Sequence, residues 1–80
     1  MMMNVTISAN TIPNATDEEL KSFAALVAER LHDDWPGFCV AVEVTDAPRT
    51  TVRGDASQSD VLHFILGDVL DGWLNGERAL

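Results

Sequence analysis

Polar and apolar positions alternate along MNVTISA, residues 3–9. Met3, Val5, Ile7 and Ala9 point one way and Asn4, Thr6 and Ser8 the other, the pattern of a half-buried strand. NTIPNA follows, with Pro13 and two asparagines, and its turn chemistry predicts a loop. The period then changes. Leu20, Phe23, Ala24, Val27 and Leu31 recur at helical spacing, which predicts an amphipathic helix over 17–32 with Lys21, Ser22, Glu29 and Arg30 on its wet side. Thr16 and Glu19 form a capping box at its start, where Asp17, Glu18 and Glu19 also suit the positive end of the helix dipole. Pro36 and Gly37 in HDDWPG end it.

The next segment, FCVAVEVT at 38–45, is rich in β-branched residues and reads as a strand suited to cover on both faces, with Phe38, Val40, Val42 and Val44 sharing one of them. Asp46, Ala47, Pro48 and Arg49 make a turn, and Thr50–Arg53 is a short third strand joined to the second as a hairpin. Gly54-Asp55 breaks that strand. Ser57, with Asp60 three residues on, starts a last helix that runs to about Asn75 and Gly76. The order β-α-β-β-α predicts a single α+β domain over 1–80, with a three-stranded mixed sheet and two helices packed on one face.

At 100° per residue, Val61, Leu62, Ile65, Leu66, Val69 and Trp73 fall in one arc of the last helix, with Leu70 and Leu74 along its margin. The opposite arc holds Asp60, Phe64, Gly67, Asp68 and Asp71, and Glu77 extends the acidity past the helix end. Two readings of this arc are open. In one, the acids form a solvated face and Phe64 covers a neighbouring loop or the sheet's margin. In the other, the arc is a docking ridge with an aromatic anchor, flanked by carboxylates that steer toward a basic partner. Aspartates one turn apart stand about 6 Å from each other, a spacing with which a helix can stand in for a phosphate backbone.

Composition sharpens this picture. Thirteen acidic residues against five basic ones leave a net charge of −8, a field that repels nucleic acid and anionic membranes and attracts basic partners. It argues against direct nucleic-acid binding and is compatible with binding a protein that itself holds DNA. A single cysteine, Cys39, forms no internal disulfide, no apolar run approaches the length of a membrane helix, and MMMN lacks the features of a signal peptide. A soluble, cytoplasmic protein is therefore the expectation. His32, Cys39 and His63 have no metal-ligand spacing, and Cys39 reads as a small buried hydrophobe. VRGDAS has one glycine beside an acid and is no phosphate loop, and RGD at 53–55 reads as coincidence. We expect no catalysis, no cofactor and no metal.

Several stretches together resemble the DinI-like family, the small acidic DNA-damage-inducible proteins that modulate the RecA recombinase. They are VTI at 5–7, the loop proline Pro13, Arg30-Leu31 before Trp35-Pro36, VEV at 42–44, TTVRGD at 50–55, and ILGDVLDGWL with its late Trp73. The resemblance spans nearly the whole chain. It implies a non-enzymatic module whose final helix engages a recombinase filament where DNA would lie. The matching ridge positions are Asp60, Asp68 and Asp71, with Glu77 beyond them; the two glycines and Phe64 depart from the family's denser acidity. The expected partner is thus a RecA-type recombinase. The alternatives are a CRISPR complex, blocked by an anti-CRISPR phage or mobile-element inhibitor, and a homodimer through the sheet.

Overall fold

A computed structural model describes residues 1–12 and 14–75. Pro13, Gly76 and the candidate residue Glu77 lie outside the described residues. The elements follow the expected order: β1 (Met2–Ser8), α1 (Asp17–Asp34), β2 (Cys39–Thr45), β3 (Thr51–Gly54), then a last helix in three pieces. Those pieces are α2 (Gln58–His63), a π-helical segment (Phe64–Val69) and α3 (Leu70–Asn75).

Local chemistry sets the helix ends. The capping box of α1 is fully formed: Glu19 N–H donates to Thr16 Oγ1 at 3.2 Å, and Thr16 N–H donates to Glu19 Oε1 at 3.0 Å. The helix runs to Asp34, two residues past the expected end, and stops at Trp35, whose N–H donates to Leu31 O at 2.8 Å. Gly37 then turns the chain at φ +88, a left-handed conformation that glycine adopts without strain. Ser57 caps α2, accepting from Asp60 N–H at 3.4 Å.

The sheet is three-stranded and mixed, with β1 in the centre. β1 runs parallel to β2, in the register Val5↔Val42, and antiparallel to β3, in the register Val5↔Val52. The expected β2–β3 hairpin does not form, because the two strands lie on opposite sides of β1. Residues 46–50 instead cross the end of β1 and are stapled to it. Ser8 Oγ donates to Ala47 O at 2.7 Å, and Ser8 N–H donates to Thr50 Oγ1 at 3.1 Å. Ser8 and Thr50 are the buried polar residues of the described chain, and these bonds satisfy them. Gly54 ends β3 where a Cβ would collide with the Met2 carbonyl. Asp55 N–H donates to that same oxygen at 2.9 Å, and Met2 N–H donates to Asp55 Oδ2 at 2.8 Å, so the RGD aspartate closes the sheet.

Both helices cover one face. Met3, Val5 and Ile7 of β1, Val52 of β3, Leu20, Phe23, Val27 and Leu31 of α1, and Val61, Ile65, Val69 and Trp73 of the last helix form one core. Ile12, from the segment expected as plain loop, is buried with them. The other face of the sheet is open: Asn4, Cys39, Ala41, Glu43 and Arg53 are exposed, so β2 is not covered on both faces and Cys39 is not buried. Two edge-on aromatic pairs join the helices, Phe23–Trp73 near the start of α1 and Trp35–Phe64 at its end. The last helix therefore runs antiparallel to α1.

Candidate functional site: the last helix

Val61, Ile65, Val69 and Trp73 are spaced by four, and all are buried. In a straight α-helix such positions drift by about 40° per step, which would carry Trp73 well off the face of Val61. The π segment removes that drift. Leu70 N–H donates to Ile65 O, an i→i−5 bond, and each such turn holds nearly one extra residue. The helix consequently behaves as a four-sided bar. One side is the core. A second carries Asp60, Phe64 and Asp68. A third carries Leu62, Leu66, Leu70 and Leu74. The outermost carries His63, Gly67, Asp71 and Asn75, all exposed.

This geometry divides the expected ridge. Asp60, Asp68 and Asp71 are exposed, as docking residues must be, but they occupy two adjacent sides rather than one line. Phe64 is half-buried, and its ring sits 5.4 Å from Trp35 at an interplanar angle of 70°. It does not stand bare among the carboxylates; it holds the last helix against the end of α1. Phe64→Ala is accordingly expected to lower stability by about 1–2 kcal/mol, from lost apolar burial and the ring pair. Thermal unfolding of the variant checks this, and an unchanged midpoint would mean that the ring contributes nothing to the fold.

The exposed apolar feature lies on the leucine side. Leu66 and Leu74 are 44% and 53% exposed, although Leu66 belongs to the expected core arc. Re-phasing by the π segment turns it outward. Leu62, Leu66 and Leu70 form one wall of an open groove whose other wall includes Pro48, Arg49 and Thr50 of the crossing segment. A second hollow, lined by Leu62, His63, Leu66 and Gly67, continues it around the helix. Among the described residues a Cβ at Gly67 would meet only open space, so this glycine serves no close packing against them.

Of the other chemistry-bearing residues, His32, Cys39 and His63 are exposed and sit on three different elements. Among the described residues no group of three or more His, Cys, Asp or Glu side chains is placed to hold a metal ion. Also among these residues, no helix is long and apolar enough to cross a membrane. What the fold and its surface define is a small α+β domain presenting one helix with acidic and leucine-rich sides. No protein-family model matches the chain, and no curated protein matches it.

Proposed function

We propose that this chain is a non-catalytic, cytoplasmic protein-interaction module that regulates a DNA-handling protein through its last helix, in the manner of a DinI-like modulator of a RecA-type filament. The observation that carries this reading is the pairing on one helix of exposed carboxylates, Asp60, Asp68 and Asp71, with the exposed leucines Leu66 and Leu74. Apolar side chains at an interface centre supply affinity, while surrounding charges supply steering and register. A net charge of −8 favours a basic partner, and surfaces that hold nucleic acid are basic. The core side of the same helix is fully used by the fold, so the docking sides are held rigidly.

The test is binding of the purified chain to recombinase filaments assembled on single-stranded DNA. Saturable binding that weakens as salt is raised is expected, since screening acts over about 8–10 Å near physiological ionic strength. Absence of binding at low salt overturns the recombinase reading. Capture of a CRISPR complex instead would move the same docking surface to the inhibitor class.

A further inference from the structure

The sheet is finished on one edge and unfinished on the other. Toward β3, Val52 is 2% exposed. On β2, Val40, Val42 and Val44 are only half-buried, although they lie in register with the fully covered Met3, Val5 and Ile7. α1 stops short of this edge and leaves a groove beside it, walled by Ala24, Ala25 and Ala28 on the helix and by Val42 and Val44 on the strand. The groove continues past Lys21 to Asp17, Thr45 and Asp46.

The backbone along this edge can be assigned. Cys39 N–H donates to Met1 O at 2.8 Å, so Cys39 turns its backbone groups toward β1. Successive residues of a strand alternate in this respect, which turns the N–H and C=O groups of Val40, Val42 and Val44 away from β1. Among the described residues no strand lies on that side. β2 also has seven residues, no proline and no lysine, and Glu43 is the one charge along it.

We infer that β2 takes up an extended segment of a basic partner protein by strand addition. Main-chain hydrogen bonds form to Val40, Val42 and Val44, and alternate side chains of the segment lie in the alanine-walled groove. Charge selects the occupant. Among the described residues Asp17 and Asp46 outnumber Lys21 along the groove, and Glu43 adds a carboxylate on the open face of the same strand, within a chain of net charge −8. A second copy fits worse. Antiparallel pairing of β2 with itself about Val42 sets the two Glu43 side chains diagonally, about 7–8 Å apart, and opposes two strongly negative bodies. This site is separate from the last helix and stands or falls apart from the function proposed above.

The experiment is backbone amide exchange followed by NMR, with two blocked heptapeptides as probes, one alternating lysine with valine and the other glutamate with valine. The lysine peptide is expected to slow exchange at Val40, Val42 and Val44, and the glutamate peptide to leave it unchanged. Val42→Pro removes an outward N–H without touching the β1 ladder, and should weaken lysine-peptide binding about ten-fold. Protection by both peptides alike, or protection confined to the last helix, overturns the inference. So does slowing of the same amides with protein concentration in the absence of peptide, which would make a second copy the occupant. The wild-type exchange data decide these outcomes even if the proline variant does not fold.

Discussion

Phe23→Ala is expected to cost about 3–5 kcal/mol, the range for removing a fully buried aromatic ring. The ring is completely inaccessible and meets Trp73 edge-on at 5.6 Å, so it joins the first turns of α1 to the end of the last helix. A domain of this size has a total stability of only about 4–12 kcal/mol. The loss therefore consumes much or all of the fold's margin. Trp73 contributes here through ring area: its Nε1 is buried and meets no acceptor among the described residues, so no hydrogen bond at that end offsets the cavity. Urea denaturation measures the effect. A loss under about 1 kcal/mol would show that the helices do not depend on this contact.

Much of this architecture is legible in the sequence because it rests on local rules. The T-D-E-E box and the Ser57 cap are short-range bonds that appear where expected, and Pro36-Gly37 does stop α1, two residues later than its periodicity predicts. Strand pairing is not local. Nothing within 38–53 distinguishes a hairpin from a crossing; the deciding bonds come from Ser8, far back in the chain. Periodicity also misleads where the helix is not ideal. At 100° per residue Leu66 joins the core and Phe64 leaves it, and the π segment reverses their environments. A signal was present: two rows with strict spacing of four, Val61 to Trp73 and Leu62 to Leu74, which a uniform 3.6-residue turn cannot keep on fixed sides. The exposure of β2's outer face follows from the count of covering elements, since both helices are committed to the opposite face.

The largest effect on binding is expected from reversing charge on the last helix while sparing its core. Asp68→Lys with Asp71→Lys changes the net charge by four, from −8 to −4, at two exposed positions. Asp60 is left in place because a carboxylate in the first turn stabilises the helix dipole, and its reversal would mix folding with binding. Stability should stay within about 0.5 kcal/mol of the parent, whereas affinity for a recombinase filament should fall about 10- to 100-fold at low salt through slower association. Leu66→Ala removes the exposed apolar side chain instead, so its defect should appear in faster dissociation and persist at high salt. The two variants thus report on different halves of the surface. If the charge reversal binds as the parent does, the carboxylates are a solvated face. If Leu66→Ala unfolds the chain, the leucine side belongs to the core.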